Sequence, residues 1–489
     1  MRRVLEGLLG RPPPAGWDDV TSARRGTGRE PLTAEDRAEL GDHASAFPLF
    51  GRAVRGSKRL AGTLDPVPAS AVPVATDVLV VGAGPAGSAA AAWAARSGRD
   101  VVLADAAVFP RDKTCGDGLT PRAMAELDLL GLGDWVRSRG RNRGLRAAGF
   151  GQELLLPWPG GSLPDHGGAV PRTELDARIR QVSLDAGVVP LEGAKAVDVE
   201  RDGDRVAGVV FEVADGSRST VTCARLVVAD GARSPLGRVL GREWHRDTAY
   251  GVAARGYIRS GRSDDEWISS HLELRGSAGE LLSGYGWVFP LGKESGEVNI
   301  GVGTLATAKR PAGVALKGLM EFYADSRRDE WQLDGPVRAP ASALLPMGGA
   351  VSGVAGRNWA LIGDAAGCVN PLNGEGIDYG LETGRTIAEL LGEDDWSTAW
   401  PATLRRHYGE AFSIARRLAG LLTLPRFLPA AGPVGMRSRA LMTVALRVMG
   451  NLVTEADRDA VARGWRLAGK LSVRLDDRPP FPAADLRTA

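Results

Sequence analysis

The chain has 489 residues, 44% hydrophobic and 25% charged, a globular composition too long for one ordinary core. Its net charge of +2 gives no case for a nucleic-acid partner. Three cysteines and five histidines, none at metal-ligand spacing, argue against a disulfide framework or a metal site and fit a reducing, cytoplasmic setting.

Residues 1–73 are rich in Arg, Gly and Pro and have no sustained apolar period. They read as a poorly ordered basic extension, as the product of a start codon placed too far upstream, or as a basic arm touching lipid or a partner. No apolar run is long enough to span a bilayer, and no secretory signal is evident.

Order is expected from about Thr76. Asp77 to Val81 is a short apolar run suited to a strand buried on both faces. Gly82-Ala83-Gly84-Pro85-Ala86-Gly87 follows, then an Ala-rich helix from Ser88 to Ser97, with Gly98 past its end. Val101 to Ala104 reads as the second strand, ending at Asp105. This βαβ order makes Gly82, Gly84 and Gly87 a dinucleotide fingerprint. The first glycine permits the turn, the second lets backbone approach a pyrophosphate, and the third lets helix pack on strand. Asp105 stands where an acid accepts ribose hydroxyls.

Phe109 to Arg122 is dense in turn formers and cations, and suits either a phosphate-bearing ligand or a solvated surface turn. Cys115 within it reads as structural more readily than as redox-active. Val206–Val213 and Ser219–Thr222 form a hairpin pattern about Ala214-Asp215-Gly216, and Asp230-Gly231 ends a further apolar strand. Residues 250–305 read as antiparallel sheet. In it Tyr285, Trp287 and Phe289 alternate on one face, which lines an apolar pocket or belongs to sheet core.

Gly363-Asp364-Ala365-Ala366-Gly367 ends another strand, where Asp364 suits a ribityl or ribose hydroxyl or simply a helix cap. Gly374-Glu375-Gly376-Ile377 opens a helix over about 376–391. A helix N-terminus at a flavin's pyrimidine edge stabilises the charge of reduced flavin. Residues 402–470 are helical in pattern, with Pro425, Pro429 and Pro433 as breaks. Between Phe412 and Val453, apolar residues mingle with Arg416, Arg417, Arg426, Arg437, Arg439 and Arg447. This is the pattern of a helix on an anionic membrane face, or of an amphipathic domain helix.

Together these loops predict an α/β protein: a Rossmann-like, hydroxylase-type FAD fold with an antiparallel-sheet substrate domain and a helical C-terminal region. The expected division is 74–145, 165–240 and 340–395 for the FAD domain, 146–164 and 241–339 for the substrate domain, and 396–489 for the helical region.

Four stretches carry a resemblance to the geranylgeranyl reductase family. They are Pro110–Ala123 (PRxKxCGDGLxPRA), Gly284–Pro290 (GYxWxFP), Asn299–Gly303 (NxGxG) and the block from Gly363 to Ile377 (GDAA…NPLNGEGI). Within that family the chain is most similar to the enzymes that saturate one isoprene bond in the side chain of menaquinone. The resemblance implies FAD contacts at Gly87, Asp105, Cys115, Gly116, Gly118, Arg172, Asp364, Gly376 and Ile377. With Gly82, Gly84, Pro85, Ala86 and Gly374, these are the candidate cofactor residues. Many relatives have Glu where this chain has Asp105, and the extension has no counterpart in them.

The expected reaction is hydride transfer from reduced FAD N5 to an isoprene double bond, with the tail held by Tyr285, Trp287 and Phe289. Water, Tyr285 or Tyr379 would donate the proton. The expected partners are a polyprenyl quinone, an unidentified electron donor and the cytoplasmic membrane face, without nucleic acid. The competing readings are a flavin monooxygenase or halogenase, a reductase of another polyprenyl lipid, and a silent quinone-binding flavoprotein.

Overall fold

The computed structural model describes residues 73–482. The extension expected at 1–73 lies outside the described residues, apart from its last position.

In chain order the main elements begin with β1 (Ala75–Val81), α1 (Pro85–Arg96), β2 (Val101–Asp105) and α2 (Pro121–Leu130). The hairpin β3 (Gly144–Gly149) and β4 (Gln152–Pro157), helix α3 (Arg172–Asp185) and strands β5 (Val189–Glu192), β6 (Lys195–Asp202), β7 (Arg205–Glu212) and β8 (Arg218–Val228) follow. Next come β9 (Tyr250–Ser260), β10 (Trp267–His271), β11 (Gly284–Pro290), β12 (Glu297–Ala306), α4 (Leu316–Ser326), β13 (Leu333–Leu345) and β14 (Trp359–Leu361). Helices α5 (Ile377–Glu389), α6 (Trp396–Leu404), α7 (Glu410–Leu422), α8 (Phe427–Met436), α9 (Arg439–Met449) and α10 (Ala460–Arg474) complete the chain.

Two large sheets organise the molecule. The first runs β5-β2-β1-β8-β7-β6, with β14 also beside β8. Its strands β5, β2, β1, β8 and β14 are parallel, and β7 and β6 meander back antiparallel. The hairpin read around Asp215 is present, with Glu212 opposite Arg218. The parallel strands are apolar throughout because both faces are covered: Leu79, Leu103, Leu226 and Leu361 are essentially inaccessible. Pro85 starts α1, where its missing N–H costs nothing.

The second sheet runs β13-β9-β12-β11-β10-β3-β4 and is antiparallel except where β10 meets β3. β11 and β12 pair as the expected hairpin, from Gly284–Thr304 to Pro290–Val298. Alternation splits β11. Gly286 and Val288 face α4, where Val288 packs in a core with Tyr323, and Tyr285, Trp287 and Phe289 face the opposite way. The expected division at 340 falls inside β13, and the one at 145–146 falls inside β3.

The C-terminal helices cap this assembly. α7 packs on α10, and α8 and α9 lie over the β3–β4 hairpin, where Met436 and Leu446 join Ala147, Leu156 and Trp158 in one core. Two expected breaks are corrected here. Pro429 and Pro433 both lie inside α8. Pro429 occupies the first turn, whose N–H groups have no helical acceptor, and Pro433 costs the short helix one hydrogen bond. Pro425 does separate α7 from α8.

Candidate active site

Between the two sheets and the C-terminal helices lies one cavity of about 980 Å³. One end is the turn after β1. Gly82 has φ +104°, and a Cβ there would sit 2.3 Å from Ala229 O. A Cβ on Gly87 would fall 1.8 Å from Gly82 O, so α1 meets its strand only through a glycine. Gly84 is different. Its absent Cβ leaves open space, with Arg111 Nη2 at 3.5 Å as the nearest atom. The N-terminus of α1 has no side-chain cap and no acid in its first turn. Bare N–H groups, the helix dipole and an arginine thus converge on a backbone with room in front of it, which is the cradle a pyrophosphate requires. The chemistry of the residues present fits FAD.

Asp105 stands beside this cradle. Its carboxylate accepts from Ala83 N (2.7 Å) and Ala107 N (2.8 Å), so it is oriented by backbone and keeps lone pairs for a ribose. Arg172 is buried and forms a double contact with Asp176 (2.6 and 2.8 Å), which also holds Arg111 at 2.8 Å. Burial opposes the charge on Arg172, but the Asp176 carboxylate outweighs it and holds the guanidinium above its usual range. Burial pushes the Cys115 thiol up while Arg172 partly offsets it, so Cys115 is a neutral thiol at neutral pH.

At the other side of the cavity, Asp364 sits in a 3-10 turn (Gly363–Ala366) after β14. Its carboxylate faces Gly376, where a Cβ would come within 3.0 Å. Gly374, Gly376 and Ile377 line the cavity at the start of α5. Of the candidate residues, Gly82, Gly84, Pro85, Ala86, Asp105, Cys115, Gly116, Gly118, Arg172, Asp364, Gly374, Gly376 and Ile377 all border the same space. Gly87 does not. Its part is to let α1 pack.

Tyr285, Trp287 and Phe289 line the cavity as a row, with successive ring centroids 5.9 and 6.2 Å apart. Of the two readings left open for them, the pocket wall is the one realised. Tyr379, the other tyrosine considered as a proton donor, is not on the cavity. It is buried between Tyr408 and Phe412.

Three features escaped sequence reading. First, Arg255 reaches from β9 to Asp112 (2.5 Å) and Lys113 O (3.1 Å) and pins the 110–118 loop against the sheet. Second, Asp117 is fully buried at φ 63° and accepts at one oxygen from Tyr257 Oη (2.8 Å) and Asn299 Nδ2 (2.9 Å). Burial raises its carboxyl to about 6. Third, the far wall comes from the C-terminal helices, including Leu422, Leu428, Met436, Met442, Leu446 and Met449. An i, i+3, i+4 apolar pattern was the only available signal, and it does not say which cavity a helix covers.

The basic membrane pattern needs correction in part. Arg416 is buried and bonds Asp476 (2.8 Å), Arg417 bonds Ser472, and Arg447 pairs with Asp459 (2.8 Å). These cations serve contacts between the helices. Arg426, Arg437 and Arg439 are exposed, close in sequence to the exposed Val434 (63%) and Leu441 (43%). Among the described residues no helix is long and apolar enough to cross a membrane, and no His, Cys, Asp and Glu cluster is set to hold a metal.

Residues 75–257 match the FAD binding domain family. A menaquinone reductase of Mycolicibacterium smegmatis is 66% identical over 409 residues, covering 83% of this chain and 98% of that protein. A menaquinone reductase of Mycobacterium tuberculosis is 64% identical over 405 residues, with the same coverages. Digeranylgeranylglycerophospholipid reductase 1 of Methanopyrus kandleri is 31% identical over 359 residues, covering 71% and 90%. Among solved structures, a geranylgeranyl bacteriochlorophyll reductase-like protein of Thermoplasma acidophilum superposes with TM-score 0.64 at 19% identity, covering 81% and 96%. The flavin-dependent brominase Bmp2 gives 0.62 at 18%, covering 82% and 100%. At those identities the structures share the fold.

Proposed function

The chain belongs to the menaquinone reductase family of FAD-dependent oxidoreductases, and from that premise we propose that it saturates one isoprene double bond in the side chain of menaquinone. The observation that carries this reading is the continuity of one cavity. It runs from a dinucleotide cradle, past a row of three aromatic rings, to a wall of apolar helices.

Bound FAD, once reduced, supplies the hydride. The chain's own residues do the rest. Gly84, Arg111, Asp105, Arg172 and Asp364 would hold the cofactor. Tyr285, Trp287 and Phe289 orient the tail from one side, and Leu422, Met436, Met442 and Leu446 close over it and exclude water. An isolated trisubstituted alkene is a poor hydride acceptor. The rate must therefore come from holding the reacting carbons close and from protonation coupled to hydride transfer. The apolar walls suit a hydrocarbon tail because burying it returns about 25 cal/mol per Å².

A membrane-resident substrate needs a docking face. Val434 and Leu441, with Arg426, Arg437 and Arg439, are the residues we assign to contact with an anionic cytoplasmic membrane face. Failure to sediment with anionic liposomes at low salt would remove that assignment. The reaction itself is tested by mass spectrometry of menaquinones from cells with and without the gene. A gain of two hydrogens in the tail that depends on Asp364 is expected. An unchanged tail mass, in menaquinone and in other polyprenyl lipids, would overturn the reading.

A further inference from the structure

Glu375 is the acidic side chain set among the glycines at the start of α5, and it lines the cavity. Thr120 Oγ1, at the start of α2, donates to its Oε1 at 2.6 Å. Oε2 has a long contact of 3.4 Å from Asn373 Nδ2, which leaves that oxygen able to carry a proton. The backbone fixes the group firmly: Glu375 N donates to Asn373 Oδ1 (2.9 Å), and Asn370 N donates to Glu375 O (2.8 Å).

The two tyrosines considered as proton donors are poorer. Tyr285 already donates its hydroxyl proton to Asn373 O at 2.6 Å, and burial pushes its phenol far up. Tyr379 lies outside the cavity. We propose that Glu375 is the catalytic acid, which delivers the proton to the isoprene carbon that does not take the hydride. This rests on the functional reading above.

The step balances. The hydride brings the electron pair of one new C–H bond. The π pair of the alkene forms the other as the Glu375 O–H bond breaks. After the product leaves, the carboxylate takes a proton from solvent, with Thr120 holding it in place. The surroundings favour the protonated acid: burial and the nearby Asp378 carboxylate raise it well above the usual carboxylate range, against the Thr120 and Asn373 hydrogen bonds that lower it. Tyr285 faces Glu375 from β11, and Asp378 follows it on α5. Arg122 on α2 counters Asp378 and sits 3.6 Å from Glu382, while Asn451 Nδ2 holds Asp378 at 2.9 Å.

The experiment compares wild type, Glu375→Gln and Glu375→Asp as FAD-loaded, anaerobically reduced enzyme mixed with menaquinone, with tail mass read in a single turnover. Glu375→Gln should bind FAD within about threefold of wild type and turn over about 100-fold more slowly. The wild-type rate should fall as pH rises through the titration of Glu375, and the residual rate of the glutamine variant should not. Glu375→Asp should recover part of the rate. The resting wild-type holoenzyme at neutral pH should show a protonated-carboxyl infrared band that weakens in Glu375→Gln. An unchanged band, or turnover within about threefold of wild type with the same pH limb, overturns the proposal. If the glutamine variant fails to load FAD, the wild-type profile decides, and a rate flat with pH overturns it. Wild type that leaves the tail mass unchanged overturns the functional reading instead, and the acid falls with it.

Discussion

Trp287 donates its indole N–H to Asn299 Oδ1 at 2.9 Å, from one strand of the β11–β12 hairpin to the other. The amide nitrogen of Asn299 then bonds Cys115 O and Asp117 Oδ2, each at 2.9 Å. One side chain thus joins the aromatic row to the 110–118 loop. The separate sequence stretches around Cys115, Trp287 and Asn299 are one hydrogen-bonded unit. Its order matters for function because the loop and the rings border the same cavity.

Asp117 gives this unit a pH dependence. Its carboxyl is raised from 3.8 to about 6 by burial. The folded protein therefore binds more protons than the unfolded chain between those values, so this contribution to stability declines as pH rises through that window. Asp117→Asn keeps the Tyr257 and Asn299 bonds, which meet a single oxygen, and Asn tolerates the left-handed backbone. The variant should lose this part of the pH slope between about 4 and 6. Thermal melts from acid to neutral pH check this. A slope unchanged from wild type would count against it.

Gly84→Val separates binding from folding. The space before Gly84 is open, so the variant should fold, while its side chain occupies the approach of the pyrophosphate. FAD affinity should drop by at least about 100-fold with the circular dichroism spectrum unchanged. Gly87→Ala, by contrast, puts a Cβ 1.8 Å from Gly82 O and should fail to fold normally. Flavin fluorescence titration and far-UV spectra on both variants distinguish the two cases.

Asp364→Ala removes a carboxylate that borders the cavity. Hydrogen bonds to a charged group contribute about 1.5–3 kcal/mol, so FAD should bind about ten- to a hundredfold more weakly. Purification with full yellow occupancy and wild-type affinity would be the contrary result.

Ala445→Trp places an indole in the helical wall of the cavity. The KM for menaquinone should rise about tenfold or more through steric overlap with the tail, with FAD loading unchanged. Equal kinetics on long- and short-tailed quinones, both at wild-type KM, would show that the tail does not pass α9.

The sequence by itself determined the strand-loop-helix order around Gly82, the acids at strand ends, the hairpin of Trp287 and the family membership. These signals are local: a period of two or 3.6, a glycine where a Cβ collides, an acid at a fixed offset. It also singled out Asp364 and Gly376, which the fold brings together on one side of the cavity. Only the tertiary structure decided what the C-terminal helices cover. Arg416 and Arg417 look identical in sequence to Arg437 and Arg439, yet the first two turn inward to Asp476 and Ser472. The inward turn depends on where α10 packs, and that is set by contacts dozens of residues apart. The same holds for Asp117, Arg255 and Glu375. Each is an ordinary polar residue until distant strands and helices enclose it, and enclosure is what changes its chemistry.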